Sequence, residues 1–479
     1  MAGTLASSPT YGLTPTAQRV ALPTNYIKDF NFLNQFLPDT YEKEFERYGN
    51  RSIASFLRML GAEMPTNSDM IKWAEQGRLH IKYNNVWTTN AAGATSATNI
   101  TFNCQSGVTC AFRVGQTVFI SQNSGTATNK AVITAVSGAT FNVAFYEASQ
   151  NIIAGTSTTN LCTAYVYGSE FQKGTDGMAG SLEAQDVFFD NKPIIIKDNY
   201  QVSGSDMAQI GWVEVTTENG ATGYLWYIKS EHETRLRFED YLEMAMVEGK
   251  PAEASSGALA QLSPSGNQSF AGTAATTSAG TKGLFYEVEN RGNVWSGGNP
   301  QLLTDFDAII QRLDKQGAIQ ENAIFLNRQF SFDIDDMLAA QNSYGANGSS
   351  YGLFDNDKEM AINLGFTGFR RGYDFYKTDW KYLNDATLRG DIVAGAINGV
   401  LVPAGSTNVY DQVLGKNAKR PFLHVRYRAS ETEDRRYKTW ITGGAGGAVT
   451  TDSDYMRVNF LSERALCVLG ANNFFLFKS

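Results

Sequence analysis

The residues most suggestive of chemistry are His232 and Glu233, near the start of the most charged run in the chain, Ser230 to Gly249. A zinc hydrolase helix needs His-Glu-x-x-His, because two imidazoles one turn apart share a helix face. Leu236 stands where the second imidazole must be. The other histidines, His80 and His424, are far away in sequence. Asp333-x-Asp335-Asp336 could hold a cation, but carboxylates in the first turn of a helix commonly answer its dipole. Asp452-x-Asp454 in a glycine-rich loop is a weaker candidate. Gly443 to Gly447 lacks the Gly-Lys-Ser/Thr of a phosphate loop. A Cys467–His424 nucleophile pair is conceivable from residue type alone, and a buried thiol is the expectation. Arg370-Arg371 could touch phosphate, whereas Arg435-Arg436 lies beside Glu431, Glu433 and Asp434 and should pair locally. No catalytic residue, cofactor site or metal site is expected.

Composition agrees. The 479 residues can bury a large core in two or three domains, and 42% hydrophobic with 18% charged residues describes a globular chain. The net charge of −8 argues against nucleic-acid binding by the whole surface. No apolar run approaches the ~20 residues that span a membrane. The opening residues lack the basic-then-apolar order of a signal peptide. Four cysteines make no disulfide framework at this length. Cys104 and Cys110 could pair, but buried, reduced thiols in a reducing cytoplasm are the expectation.

The elements follow from periodicity. Residues 1–30 read as an extended arm, followed by short helices at 39–48, 52–60 and about 69–76, within an N-terminal segment 1–85. From Val86 to Tyr165 only Arg113, Lys130 and Glu147 are charged. Alternating runs such as Gly115–Ile120, Lys130–Val136 and Thr140–Phe145 there predict an inserted all-β sandwich or barrel, 86–165. Segment 166–228 is expected to hold a projecting two-stranded ribbon, Val187–Tyr227, with its tip near 198–206. Such a ribbon is marginal in water unless something covers it. A helix capped by Ser230 and Glu233 runs to Gly249, laced by Glu231–Arg235, Glu233–Arg237 and Arg235–Glu239 pairs worth ~0.2–0.5 kcal/mol each. Its apolar stripe is Phe238, Leu242, Ala245 and Met246. A low-complexity linker, 251–283, precedes an amphipathic helix from Asn299-Pro300 carrying Leu302, Leu303, Phe306, Ile309, Ile310 and Leu313. A strand at Ala323–Leu326 and a helix from about Asp333 follow. Strands are expected at Tyr373–Lys377, Phe422–Arg428, Arg436–Thr442 and Tyr455–Leu461.

This order of parts resembles the major capsid proteins of tailed double-stranded DNA phages, the Hong Kong 97 fold. The stretches that carry the resemblance are Gln301–Leu313, Asn322–Arg328 and Leu461–Gly470. With Gly49–Arg58 added, the chain looks closest to capsid proteins of the crAss-like phages. The resemblance implies an α+β fold with an N-terminal arm and an E-loop. It also implies a P domain at 229–365 built on the charged helix, and an A domain at 366–479 that includes a returning P-domain strand. It further implies self-assembly into hexameric and pentameric capsomers of an icosahedral shell, with no catalytic activity. Auxiliary or decoration proteins, a portal and a separate scaffold would be partners, and DNA would be packaged non-specifically inside. The place of the protein would be the virion capsid, after synthesis in the bacterial host cytoplasm. Asp198, Asn199, Tyr200 and Ser205 at the ribbon, and Glu231, Arg235, Arg237 and Glu239 on the helix, are the expected subunit contacts. The alternative is a tail or adhesion component with a carbohydrate-binding insertion.

Overall fold

The computed structural model describes residues 62–90, 92, 100–105, 108–181, 186–208, 215–216, 222–223, 226–253, 280–317, 319–342, 368–411, 416–445, 447 and 450–479. The expected arm, the helices at 39–48 and 52–60, most of the 251–283 linker and ribbon residues 209–214, 217–221 and 224–225 lie outside them. The fold is mixed, with several sheets and helices in two compact units, Met70–Asn191 and the remainder.

After β1 (Ala62–Thr66), which belongs to the larger unit, the smaller unit carries eight strands among its described residues. These are β2 (Ile71–Gln76), β3 (Lys82–Val86), β4 (Ile100–Asn103), β5 (Gln116–Gln122), β6 (Thr128–Ser137), β7 (Thr140–Phe145), β8 (Cys162–Ser169) and β9 (Asp186–Asn191). Six of them form an antiparallel sheet in the order β3-β8-β5-β6-β7-β4. Reciprocal Trp87–Asn103 backbone hydrogen bonds of 3.0 and 2.8 Å join the end of β3 to the end of β4 and close the sheet into a barrel. Closure removes the open edges that a polar, low-charge sheet would otherwise expose to aggregation. Alternation fills its interior: Val118 and Ile120, Ala131 and Ile133, Phe141 and Val143 point inward.

Strands β2 and β9 make a separate two-stranded antiparallel ribbon, from Ile71↔Asn191 to Gln76↔Asp186. The helix expected at 69–76 is therefore a strand. Ile71, Trp73 and Glu75 are covered while Lys72, Ala74 and Gln76 are exposed, a period of two that a six-residue stretch barely distinguishes from a helical turn. The unit also reaches beyond the expected 86–165 limits, which cut through β3 and β8. The compositional change marks where charges end, not where the fold begins. Cys104 and Cys110 are disulfide-bonded, against the expectation of reduced thiols. Their backbone N–H groups donate to the neighbouring carbonyls of Ala139 and Gly138, at 2.7 and 2.9 Å, so one turn holds both in place.

The larger unit continues with β10 (Ile194–Ser203), β11 (Val215–Thr216), β12 (Thr222–Gly223) and α1 (Trp226–Glu248). Next come α2 (Leu284–Arg291), β13 (Asn293–Trp295), α3 (Leu303–Gln316), β14 (Glu321–Leu326), α4 (Arg328–Asn342), β15 (Gly368–Arg371) and β16 (Tyr373–Asp379). It ends with β17 (Ile397–Pro403), β18 (Ser406–Asp411), β19 (Lys416–Pro421), β20 (Leu423–Arg428), β21 (Lys438–Gly443), β22 (Tyr455–Val468) and β23 (Phe475–Lys478). One sheet has the order β1-β20-β22-β10, with β21 also on β22; a second has the order β13-β23-β17-β14-β16-β15.

The second sheet is buried on both faces. Phe306, Ile309 and Leu313 of α3 and Phe330, Ile334 and Met337 of α4 pack on the face that presents Ile324 and Leu326. Phe325, from the opposite side of β14, meets α2 and the first sheet in another core with Leu284, Val288, Leu466 and Val468. Double coverage explains why β14 reads as a continuous apolar run. The sheet also crosses the expected domain boundary at 365, since β14 lies between β16 and β17. Leu302, placed on the apolar face from periodicity, is largely exposed just before α3, where Asp305 Oδ2 accepts its backbone N–H at 3.1 Å. Helix α4 starts at Arg328, five residues before the expected Asp333, because the Asn327 side chain caps it, accepting the Phe330 N–H at 2.8 Å.

Candidate subunit-contact face

Of the ribbon expected at 187–227, the described first arm has its partner elsewhere. Strand β10 pairs with β22 along its whole length, from Ile194↔Arg464 to Ser203↔Tyr455. Alternation identified a strand and said nothing of a partner some 260 residues away. Along β10, Ile196, Tyr200 and Val202 turn toward α1 and pack with Phe238, Leu242, Val458 and Phe460. Ile195, Lys197, Asn199 and Gln201 are exposed on the other side.

This splits the predicted contact residues. Asp198 and Tyr200 fall on the helix side and Asn199 on the exposed side, its N–H donating to Asp198 Oδ1 at 2.8 Å. Ser205 is exposed in the four-residue helical turn Gly204–Met207, which Ser203 caps through the Asp206 N–H. Burial raises the Tyr200 phenol above its ordinary value, with the Ser230 hydroxyl bonded to it and Glu231 close by. The structure thus brings Tyr200 and Glu231 together. Arg237 is exposed one face away, and Arg235 and Glu239 are half-buried.

The charged helix begins four residues before Ser230, so the predicted capping box is not its start. Ser230 sits inside α1, and its carbonyl accepts the Thr234 hydroxyl at 2.9 Å. Other contacts join the expected ladder. Lys229 pairs with Glu233 at 3.7 Å, and Arg235 Nη2 lies 3.1 Å from His232 Nδ1. A start at Trp226 brings Lys229 into reach of Glu233, while the predicted box had left Lys229 outside the helix. The buried stripe is Thr234, Phe238, Leu242 and Met246.

The candidate chemistry is absorbed by structure. Asp335 pairs with Lys377, and Asp333 accepts from Asn299 at 2.6 Å and Gln329 at 3.0 Å; these carboxylates lie in mid-helix and not in a first turn. His424 and Cys467 are cross-strand partners, but both are buried in the β20–β22 pair. Arg371 pairs with Asp307, Arg370 with Asp374, Arg435 with Glu463 and Arg436 with Glu63. Among the described residues no three metal-ligating side chains converge. A cleft of 620 Å³ lies between the end of α1, α2 and the loop before β17. Its charges are mutually neutralised: Glu248 accepts from Arg389 Nη2 at 2.7 Å and from the Tyr382 hydroxyl at 2.5 Å, and Lys478 donates to Glu289 at 2.7 Å.

What sequence reasoning missed is the β2–β9 ribbon. Phe188 is 72% and Val187 50% exposed on it. The signal was present as Val187-Phe-Phe189 between Asp186 and Asp190, but it was joined to the wrong partner strand.

No family model matches the chain, and no curated protein matches it. Solved structures give distant likenesses. A capsid structure of the cyanophage P-SCSP1u is 8% identical over 93% of this chain and 93% of that chain, with a TM-score of 0.39. A Gordonia phage Cozz chain is 8% identical over 97% of this chain and 98% of its own, also with a TM-score of 0.39. The capsid of a native GTA particle is 10% identical over 93% and 96% of the two chains, with a TM-score of 0.36. Likenesses this distant leave the functional case to the chain's own geometry.

Proposed function

We propose that this chain is the major capsid protein of a tailed double-stranded DNA phage, a non-catalytic subunit that assembles into hexameric and pentameric capsomers. The β2–β9 ribbon carries the reading. It is a sheet of two six-residue strands with Phe188 exposed on one face and Val187 on the other, and a two-stranded sheet is marginal alone in water. A shell of repeated copies supplies the cover, each ribbon buried by its neighbour. On this reading the ribbon is the projecting loop, with the barrel carried at its end. The sheet under α1 is the peripheral layer and the sheet under α3 and α4 the axial layer. Asp198, Asn199, Tyr200, Ser205, Glu231, Arg235, Arg237 and Glu239 would include residues at subunit contacts. Kinship with crAss-like phages, scaffold, portal and decoration partners, and DNA inside a shell made in the host cytoplasm belong to the same proposal.

The test is sedimentation and negative-stain imaging of the chain co-expressed with a phage scaffold protein. Capsomers or shells are expected, and Phe188→Asp should abolish them while leaving the circular dichroism spectrum and melting temperature of the subunit unchanged. A chain that stays monomeric throughout overturns the reading.

A further inference from the structure

The outer wall of the barrel carries a group of aromatic rings that its own fold does not use. Register places Phe119 of β5 beside Tyr165 of β8 on one side and Lys130 of β6 on the other. The Phe119 and Tyr165 ring centroids are 5.4 Å apart. The pairing then slips. Val118 faces Val166 and Thr117 faces Gly168, so Tyr167 is the extra residue of a bulge. Bulges re-aim side chains. Here the bulge sets the Tyr167 ring under the Lys130 ammonium, 5.9 Å from its centroid. Tyr146, just past β7, lies within side-chain hydrogen-bond reach of Tyr167 and gives its hydroxyl proton to Glu170. Tyr165 is 39%, Tyr167 48% and Tyr146 50% exposed.

Three observations define what would sit there. The rings stand on a closed barrel whose interior is packed, so they are held before any ligand arrives. Charge is sparse and has no cationic surplus: the one lysine, Lys130, stands with Glu147, which accepts its backbone N–H at 3.3 Å, and with Glu170, which accepts from Tyr146. That disfavours phosphates, nucleic acid and anionic lipid, all of which need a cationic surplus. Beside the rings the wall is hydroxyl and amide, with the Thr163 hydroxyl, two residues before Tyr165 on β8, bonded to Asn123 at 2.7 Å. A buried protein interface favours an apolar centre, so this rim suits a hydroxyl-bearing ligand better than a second copy of the chain.

We infer that this wall is a binding site for uncharged glycans. The C–H faces of a pyranose would stack on Tyr165 and Tyr167, and its hydroxyls would meet Lys130, Glu170 and the Tyr146 hydroxyl. Rings with a polar tip suit this double duty.

The full chain would be titrated by isothermal calorimetry with maltoheptaose, cellohexaose, chitohexaose and mannohexaose. Binding of at least one is expected, weakened at least about tenfold by Tyr165→Ala or Tyr167→Ala, the loss of roughly one ring contact. Tyr165→Phe keeps the ring and should retain binding, and Val108→Ala, beside the disulfide turn at the other end of β6 from Lys130, should change nothing. Unchanged circular dichroism for each variant separates lost contact from lost fold. Failure of all four sugars to bind, or binding indifferent to both tyrosine substitutions, overturns the proposal. So does loss of hydroxyl-radical labelling of Tyr165 and Tyr167 on assembly, which would make the wall a contact between copies.

Discussion

Phe238 anchors α1 to its sheet. It is fully buried, stacked on Phe460 at 5.7 Å and edge-on to Tyr437 at 5.5 Å. Phe238→Ala should cost about 3–5 kcal/mol in urea unfolding, from lost transfer energy plus the cavity left behind. Tyr373 carries a pH signature. Burial, and then the Asp314 carboxylate that accepts its hydroxyl proton, push its phenol from an ordinary 10.0 up to about 12. Because the folded pKa is the higher one, its contribution is complete below pH 10 and is lost as pH rises toward 12. Tyr373→Phe should flatten the alkaline fall in melting temperature over that window. Single residues were the least legible scale. The apolar face of α3 was readable at Phe306, Ile309 and Leu313, since periodicity reports burial directly. The Cys104–Cys110 bond was not, because it depends on a turn at Gly138 and Ala139 that brings both backbones to adjacent carbonyls.

At the scale of elements, the end of α1 is tied to the rest of its unit by Glu248, which holds both Arg389 and Tyr382. Glu248→Gln should lower stability by about 2 kcal/mol, because it leaves a half-buried guanidinium without its counter-charge. Denaturation followed by tryptophan fluorescence would measure it. Strands β14, β16, β20, β21 and β22 lie where alternation put them, within a few residues apart from the longer reach of β22. Their partners were out of reach: β10 joins β22, and β1 joins β20 in parallel, across most of the chain. Local pattern encodes which face of a strand is buried, but not whose strand lies beside it. Residues 71–76 failed for a related reason, since so short a segment takes its conformation from β9.

For the whole molecule, low charge, abundant turns and sheet, and the absence of any complete catalytic motif pointed toward a structural role. That is the role proposed above, and its assembly test belongs to this scale. The division into two units was visible as a change of composition, yet misplaced at both limits, because hydroxyl-rich sequence marks the barrel wall and not the ribbon that precedes and follows it. One grouping differs: β14 was expected in one domain with α1, and it shares a sheet with β15, β16, β17 and β23.

One junction has a practical consequence. The chain leaves α1 at Gly249 and re-enters α2 after Gly283, and the Gly283 N–H donates to the Gly249 carbonyl at 2.8 Å. A Cβ on Gly283 would come within 2.5 Å of the Gly249 nitrogen, so both positions need glycine for the backbones to touch. The chain therefore departs and returns at one point of the fold. Lengthening a loop whose ends already meet costs little, since closure entropy grows only logarithmically with length. The two glycines form a socket: peptides, tags or whole domains grafted between Glu253 and Gly280 would be carried by the subunit without asking its core to change.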